Sequence, residues 1–504
     1  MSVYLLGIDV GTHSTKGVLV SREGRVAGHR VTQHDVSRPR PGHAEHDADD
    51  VWWRDVSRII AALLNDSGVN PVDVKSVGVS GLAPAMVPVD SDGRPLRPAI
   101  LYGIDTRAET EVAWFNAELG LDAPGTPPAV RMQAQSLAPK IAWFREHEPA
   151  RWTSTDRILG STGYVVHRLT GTYVVDSLNA AAFSPLYNPA ENAWDATMCS
   201  RFGFPLEMLP CIREATDVVG GVTPEASHET GLAVGTPVIC GSMDGLAEYL
   251  ASGATRDGDA CVLFGSTMCV CVLTSEFREH PQLYSGRTLV PGLSRMSGGM
   301  ATSGALVQWF RDNFAPRETL DALDDEAATI APGSDGLIVL PYFSGERTPI
   351  FDTRARGLIL GLTVSHTRAH VYRAVLEGIA YALKHHLELM AEVDVVPGRV
   401  LAIGGGSRSE LWTQIVSDVT GFSLECVHQP HGAELAAAFL AGYGAGVFDN
   451  FSELADKWVR TGRTALSRPA ITSVYDRYYA VYRRLYDRTR DDMHELACLS
   501  ERLA

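Results

Sequence analysis

The segment from Leu5 to Val20 places the strongest constraint on the fold. Two apolar runs flank a polar stretch that begins at Asp9 and Gly11, a pattern typical of two strands joined by a tight turn. Gly11 lets the backbone approach another group closely, and Asp9 is placed to hold a divalent cation against an anion bound in the turn. Donors for that anion are the backbone N–H groups and the side chains of Thr12, Ser14, Thr15 and Lys16. An ordinary polar hairpin would give the same pattern.

A second segment, residues 260–273, repeats this order of strand, glycine with hydroxyl residues, and strand. Gly265, Ser266 and Thr267 form its polar stretch. A motif that recurs far along a chain indicates an internal duplication. The sequence therefore predicts two related hairpins that hold one polyphosphate from opposite sides.

Asp244 is predicted to lie at a strand-to-helix turn. It belongs to the stretch Gly-Ser-Met-Asp-Gly at residues 241–245, which follows a short strand pattern and precedes a helical one. Gly245 leaves room for a ligand beside the carboxylate. In the alternative interpretation, Asp244 only caps the helix that follows, as aspartate commonly does.

A fourth segment, Leu401 to Glu410, combines a strand, three consecutive glycines and the start of an amphipathic helix. Gly404, Gly405 and Gly406 offer a flat backbone surface on which a nucleotide can lie. A glycine-rich turn is weak evidence by itself. Its position after the other three segments makes it informative.

In this order, the four segments resemble the actin-like ATPase superfold and, more narrowly, the FGGY family of carbohydrate kinases, closest to its xylulokinase branch. Further segments carry the same resemblance: Lys140–Phe144, Tyr164–Gly171, Asp176 with Asn179–Ala180, Gly304–Phe310, Ser344–Pro349 with Arg356–Gly357, Arg373–Gly378 and Gly404–Gly421. The resemblance implies an α/β protein of two duplicated actin-like (ribonuclease H-like) ATPase domains with a cleft between them. Residues 1–248 would carry the sugar site and the first phosphate loop, and residues 249–504 the second phosphate loop and the adenosine site.

The resemblance also implies the chemistry, which is ATP-dependent phosphorylation of a sugar hydroxyl with Mg²⁺ as the metal cofactor. Asp244 would be the catalytic base and Asp9 would hold Mg²⁺. The ATP-binding residues implied are Gly11, Thr12, Ser14, Lys16, Gly265, Ser266, Thr267, Gly304, Gln308, Gly404, Gly405 and Ser409. His13 replaces a hydroxyl residue that is common in the family, and we interpret it as a simple substitution.

The identity of the sugar is less constrained, because the sugar loop departs from the xylulokinase pattern. Xylulokinases usually carry Gln-Met-His-Gly here, whereas this chain has Leu-Ala-Pro-Ala at residues 82–85. Pro84 offers no side-chain or backbone donor to a hydroxyl. The substrate-binding residues implied are Ala83, Pro84, Tyr102, Asp105, Arg107 and Asp244. A ketopentose such as xylulose, or a related ketose, is the predicted substrate in carbohydrate catabolism.

Two alternatives stay open. The first is a kinase for another polyol or ketose, of the ribulose, ribitol, erythritol or glycerol type. The second is a non-catalytic actin-like nucleotide-binding protein, which the chemically intact Asp9, Lys16 and Asp244 make less favoured.

Composition limits the partners and the cellular location. The formal net charge of −16, with no offsetting basic stripe, argues against nucleic acid as a partner. The eight cysteines are scattered, which is typical of a reduced intracellular chain. No leader or membrane-spanning run is evident. We expect a cytoplasmic enzyme with a small-molecule sugar substrate, and a homodimer is one expectation for its oligomeric state.

The order of elements can be anticipated only coarsely from the sequence. Residues 1–30 are predicted to form a three-stranded meander, and residues 474–503 a closing helix. Helices and loops are predicted over residues 108–230, apart from a short hairpin near Tyr173.

Overall fold

A computed structural model describes residues 2–123, 125–428 and 431–503, with side chains described as far as residue 500. The strands are β1 (Tyr4–Val10), β2 (Ser14–Ser21), β3 (Val26–Gln33), β4 (Glu45–His46), β5 (Val74–Gly81), β6 (Val87–Val89), β7 (Ala99–Ile100), β8 (Arg157–Leu159), β9 (Val174–Asp176), β10 (Tyr187–Asn188), β11 (Ala193–Trp194), β12 (Cys211–Arg213), β13 (Val218–Gly221), β14 (Pro237–Ile239), β15 (Ser242–Met243), β16 (Asp259–Phe264), β17 (Met268–Thr274), β18 (Tyr284–Arg287), β19 (Ser294–Gly299), β20 (Ile338–Leu340), β21 (Leu358–Leu360), β22 (Arg399–Ile403), β23 (Leu424–Val427) and β24 (Thr461–Ala465). The α-helices are α1 (Arg54–Ser67), α2 (Glu109–Glu118), α3 (Leu137–His147), α4 (Pro149–Thr153), α5 (Ser161–Thr170), α6 (Ser177–Ala180), α7 (Ala196–Phe202), α8 (Pro224–Thr230), α9 (Asp244–Ala251), α10 (Gly304–Phe314), α11 (Leu320–Ala328), α12 (Arg368–Ala391), α13 (Glu410–Thr420), α14 (Ala433–Gly444) and α15 (Pro469–Leu503).

The chain divides into two compact units. Unit 1 comprises Met1–Thr126, Val130–Ala251 and Pro430–Trp458, and unit 2 comprises Pro127–Ala129, Ser252–Gln429 and Val459–Ala504. The segment that contains α14 thus belongs with the N-terminal part of the chain, which the sequence analysis did not anticipate. The functional division at residue 248 stays a prediction.

The main sheet of unit 1 has the strand order β13-β14-β5-β1-β2-β3, and β15 also pairs with β5. The first three strands form the predicted meander, since β1 is antiparallel to β2 and β2 to β3. β5 runs parallel to β1. β1 is buried along nearly its whole length, which explains why its sequence is a continuous apolar run rather than an alternating one.

The main sheet of unit 2 has the order β18-β19-β17-β16-β22-β23-β24. Its strand β16 is antiparallel to β17 and parallel to β22, as β1 is to β2 and β5. The succession β19-β17-β16-β22-β23 therefore repeats the succession β3-β2-β1-β5-β14 of unit 1. This repetition confirms the predicted duplication of one α/β fold.

Helix α14 packs on β1 and β5 of unit 1 without intervening side chains. A Cβ atom on Gly7 would collide with the carbonyl oxygen of Glu434, and one on Gly78 with that of Ala437. The two glycines therefore allow the helix backbone to lie directly against the sheet. This close contact fixes the position of the first turn of α14.

The prediction for the middle of the chain is wrong in two respects. Residues 108–230 contain the strands β8 and β10 to β13 in addition to helices and loops. Residues near Tyr173 do not form a hairpin, because β9 pairs in parallel with β12, with Val174 opposite Cys211. The two strands are separated by several helices, and local periodicity carries no signal for such a pairing.

None of the helices in the described parts of the chain is both long and apolar enough to cross a membrane.

Candidate active site

Asp9 lies at the end of β1, where the strand register surrounds it with polar groups. Lys16 is its partner on β2 and Ser80 its partner on β5. The Ser80 hydroxyl donates to Asp9 Oδ1 at 2.9 Å, and Lys16 Nζ lies 3.6 Å from Asp9 Oδ2. Asp9 is only 3% exposed. A buried acid and a half-exposed lysine thus meet at the predicted phosphate turn.

The turn itself is closed by Gly11, whose N–H donates to the Ser14 carbonyl at 2.9 Å. A Cβ on Gly11 would lie 3.0 Å from that carbonyl oxygen, so the tight turn favours glycine. His13 is exposed in this turn and Ser14 is half-buried. The Thr12 hydroxyl lies 3.0 Å from the hydroxyl of Tyr102, a predicted sugar-binding residue, so the predicted phosphate turn and a predicted sugar contact are adjacent.

Asp244 lies at a strand-to-helix turn, as the sequence predicted. β15 pairs with β5 so that Met243 is opposite Gly81, and α9 begins at Asp244 itself. Asp244 Oδ1 accepts the N–H of Gly245 at 2.7 Å. A Cβ on Gly245 would meet no atom within 4 Å, so space is open beside this carboxylate. The turn holds the side chain at the same end of the sheet as Asp9.

Burial dominates the electrostatics of the two carboxylates, Asp9 and Asp244. Burial raises the pKa of Asp9 above its usual range, with Lys16 opposing the shift and Glu434 and Glu248 adding to it. Burial and the charge of Asp9 likewise raise the pKa of Asp244 well above its usual range. Because both carboxylates are costly to charge here, a bound cation would stabilise their ionised forms.

Asp105 and Arg107 lie in a buried ion-pair network. Arg107 Nη2 donates to Asp105 Oδ2 at 2.7 Å, and Arg107 Nη1 lies 2.8 Å from Glu45 Oε1. Asp105 also accepts the N–H of Ala44 at 2.6 Å. The side chains of Asp105 and Arg107 are 0% and 1% exposed. The structure brings these two predicted sugar residues together but turns their charged groups toward protein partners.

Ala83 and Pro84 line a small cavity together with Asp176, Asn179 and Cys240. Its volume of about 20 Å³ suits one water molecule and is too small for a sugar. The Asp176 carboxylate at its wall accepts from the Ser242 hydroxyl at 2.9 Å, one strand residue before Met243. Ser242 thereby links Asp176, which lines this cavity, to the strand that directly precedes Asp244.

Lys140 fixes the backbone at Leu101 and Tyr102, next to a predicted sugar-binding residue. It is 1% exposed, and its Nζ donates to the carbonyl of Leu101 and, at 2.7 Å, to that of Tyr102. Burial lowers the pKa of Lys140 to about 7. The family resemblance singled out this lysine in the sequence, but only the structure shows which carbonyl groups it binds.

The lowered pKa of Lys140 gives a testable pH dependence. The unfolded chain, whose lysine has its ordinary pKa, binds more protons than the folded chain between about pH 7 and pH 10. Over that interval, wild-type stability should therefore rise with pH relative to Lys140→Met, by up to about 1.4 kcal/mol per pH unit. The measurement is the free energy of unfolding by denaturant at several pH values.

The matched control is Lys75→Met, because Lys75 makes a similar bond to the carbonyl of Val72 at 2.8 Å in an exposed position. We expect its difference from wild type to stay constant with pH. A constant difference for Lys140→Met as well would show that Lys140 is charged in the folded protein throughout the range.

In unit 2, the predicted second phosphate loop is joined to the start of α10. The Gly265 N–H donates to the Thr267 carbonyl at 3.0 Å, and the Gly304 N–H donates to the Gly265 carbonyl at 3.0 Å. Ser266 O accepts from the N–H groups of Ser303 and Ala305. The first turn of α10 thus lies against this loop and is fixed to it by backbone hydrogen bonds.

A cavity of about 1180 Å³ opens beside this loop within unit 2. Six of the predicted ATP-binding residues line it: Gly265, Ser266, Gly304, Gln308, Gly405 and Ser409. Gly404 has φ of +91°, which favours glycine, and a Cβ there would lie 2.7 Å from the carbonyl oxygen of Phe264. The glycine-rich turn is thereby held against the end of β16.

Several lining residues were missed by the sequence analysis. Asp324 accepts from the Ser409 hydroxyl at 2.5 Å and from the Tyr372 hydroxyl at 2.9 Å. Gln308 donates to Asp312 at 3.0 Å. Asp312, Asp324 and Tyr372 all line the cavity. They lie outside the glycine motifs, and no local pattern distinguishes them from ordinary helix residues.

Both halves of the chain match profiles of one protein family. The N-terminal domain of the FGGY family of carbohydrate kinases matches residues 4–251, and its C-terminal domain matches residues 260–445. The chain therefore belongs to the FGGY family of carbohydrate kinases. This membership confirms the sequence-based prediction of an ATP-dependent carbohydrate kinase.

Individual relatives are similar over nearly the whole chain. The xylulose kinase of Bacillus subtilis (strain 168) is 28% identical over 496 residues, which is 97% of each chain. The L-xylulose/3-keto-L-gulonate kinase of Escherichia coli (strain K12) is 28% identical over 498 residues, 96% of this chain and 97% of that protein. The crystal structure of xylulose kinase from Rhodospirillum rubrum matches with a TM-score of 0.90 and 34% identity, over 97% of this chain and 100% of that one.

Proposed function

We propose that this carbohydrate kinase transfers the γ-phosphoryl group of ATP to a hydroxyl of a ketose of the xylulose class. The proposal rests on the positions of Asp9, Lys16 and Asp244, whose side chains lie together at one end of the unit 1 sheet. The relatives described above, whose names refer to xylulose or related ketoses, support the choice of sugar. The cytoplasmic location and the homodimer stay predictions.

Asp244 is proposed as the general base. A sugar hydroxyl is a weak acid, so its attack on phosphorus is assisted by a group that accepts its proton. The raised pKa of Asp244 makes its carboxylate a stronger base than an exposed aspartate. In the reaction, Asp244 takes the hydroxyl proton, the sugar oxygen bonds to the γ-phosphorus, and the bond from that phosphorus to ADP breaks.

Asp9 is proposed to hold Mg²⁺. The donor set fits this ion, because Mg²⁺ in phosphoryl-transfer sites is bound through one or two carboxylates and keeps several waters. Burial makes the charge of Asp9 costly, and a cation beside it would offset that cost. When bound, Mg²⁺ would neutralise phosphate charge. Lys16 would contribute a second positive charge from the same turn.

The phosphate and adenosine contacts are proposed from the residues named in the sequence analysis. In unit 1, Gly11, Thr12, Ser14 and Lys16 would face phosphate, as would Gly265, Ser266 and Thr267 in unit 2. The 1180 Å³ cavity of unit 2 is large enough for an adenosine group. Gly304, Gln308, Gly404, Gly405 and Ser409 would contact that group.

The sugar contacts are proposed to come from Tyr102 and Asp244, with Ala83 and Pro84 shaping the loop. Asp105 and Arg107 would act chiefly by fixing this loop, because their charged groups are buried against each other and Glu45. A proline where xylulokinases present histidine removes one hydrogen-bond donor to the sugar. Loss of such a donor lowers discrimination between sugars.

We therefore expect D-xylulose to be phosphorylated, but with kcat/KM less than about a hundredfold above the next best substrate. The measurement is ADP release across ketopentoses, ketohexoses and pentitols, with glycerol and gluconate included. A preference for D-xylulose of several hundredfold would show that residues 82–84 do not set the choice. Activity with polyols alone would overturn the ketose assignment and leave the kinase assignment intact.

A further inference from the structure

Three potential metal ligands converge in unit 1 at a place to which the proposed reaction assigns no role. They are His29 on β3, His431 in the segment just before α14, and Glu434 in the first turn of α14. His29 Nε2 lies 3.3 Å and His431 Nδ1 lies 3.6 Å from the same oxygen, Glu434 Oε1. All three ligand atoms lie within 4.8 Å of one another. His29 is far in the chain from His431 and Glu434, so no local sequence pattern predicts that the three side chains come together.

The spacing of these atoms suits a transition-metal ion. Zinc binds imidazole nitrogen and carboxylate oxygen at about 2.0–2.2 Å, so two ligands of a tetrahedral ion are about 3.4 Å apart. The two measured separations, 3.3 and 3.6 Å, bracket that value. Two histidines with one carboxylate form a common three-residue set for zinc, which leaves a fourth position for water.

Burial and incomplete hydrogen bonding make the cluster unusual. Glu434 is 1% exposed, and its Oε2 is buried with no hydrogen-bond partner in the described part of the chain. Buried polar atoms in native proteins nearly always have a partner. The centroids of the two imidazole rings are only 4.5 Å apart and their planes are inclined at 59°, so the two rings lie side by side without stacking face to face.

We propose that His29, His431 and Glu434 form a binding site for a divalent transition-metal ion, with zinc the best fit. The ion joins the edge strand β3 to the first turn of α14, two elements that are about 400 residues apart in the chain. The nitrogen ligands distinguish this site from an Mg²⁺ site, since Mg²⁺ prefers oxygen ligands. None of the three proposed ligands is a residue that the proposed function places in contact with the sugar or with phosphate.

The test uses the full chain, stripped with a chelator and then dialysed against zinc. We expect one zinc per chain by elemental analysis, a higher unfolding temperature with zinc, and visible d–d absorption bands when cobalt replaces zinc. Excess Mg²⁺ should leave the zinc in place. Wild-type protein that retains no zinc, or loses it to Mg²⁺, would overturn the proposal and would leave a structural role for the three side chains.

Substitutions of the proposed ligands test where the zinc binds. His29→Gln and Glu434→Gln should each weaken zinc binding by at least about tenfold, with the fold checked by circular dichroism. The matched control is His228→Gln, which removes an exposed histidine of unit 1. A second control, His366→Gln, removes one ring of the half-buried His366–His370 pair of unit 2. If only this second control lost zinc, the ion would be an adventitious surface ligand and the proposal would be wrong.

Discussion

The variant Asp244→Asn should lose kcat by about two to four orders of magnitude while binding ATP and sugar nearly normally. An amide keeps the size of the side chain and still accepts the N–H of Gly245, but it cannot take a proton from the sugar. The effect should therefore appear in kcat and not in the binding of either substrate. Steady-state kinetics together with calorimetric ATP binding measure the two separately.

The control for this substitution is Asp195→Asn. Asp195 caps α7 by accepting the N–H of Met198 at 2.9 Å, and asparagine caps helices about as well as aspartate. We expect its activity to match wild type. If Asp244→Asn also stayed within a few-fold of wild-type kcat, Asp244 would be a helix-capping residue and not the base.

The variant Asp9→Asn should lower kcat by about 10²- to 10³-fold and shift the activating Mg²⁺ concentration upward. The amide still accepts the Ser80 hydroxyl but lacks the charge that would hold the cation.

Lys16→Ala, in contrast, should raise KM for ATP with little change in KM for the sugar, because Lys16 would contact phosphate. Titrating Mg²⁺, ATP and sugar in separate series distinguishes the two variants.

The control for Asp9→Asn is Asp66→Asn, which removes an exposed acid that pairs with Arg30. An exposed ion pair contributes little, so its Mg²⁺ dependence should match wild type. An unchanged Mg²⁺ dependence in Asp9→Asn would rule out the metal assignment.

Local sequence patterns located the two hairpins and the turn at Asp244 because these elements are short-range. Each hairpin joins neighbouring strands through a few residues, so apolar runs and a glycine mark both its strands and its turn. Asp244 follows a strand pattern and precedes a helical one. The internal repeat was visible for the same reason, since the polar stretch at Gly265 has the same chemistry as that at Gly11.

Those local patterns could not predict contacts between segments that are distant in the chain. The sequence analysis named Lys140 and Tyr102 for different reasons, and only the structure shows the lysine bound to the carbonyl of Tyr102. Asp105 and Arg107 were predicted to contact the sugar, and the structure shows their charges directed to each other. Side-chain direction depends on which elements pack together, and periodicity does not record this.

The sequence by itself determined the α/β class, the duplication, the family and the turns that carry Asp9 and Asp244, because these depend on residues close together in the chain. Only the tertiary structure decided that α14 packs on β1 and β5, where Gly7 and Gly78 leave room for its backbone. That packing brings Glu434 to His29 and into the electrostatic field of Lys16. Such encounters depend on the packing of whole helices and sheets, and for that reason they appear only when the chain is folded.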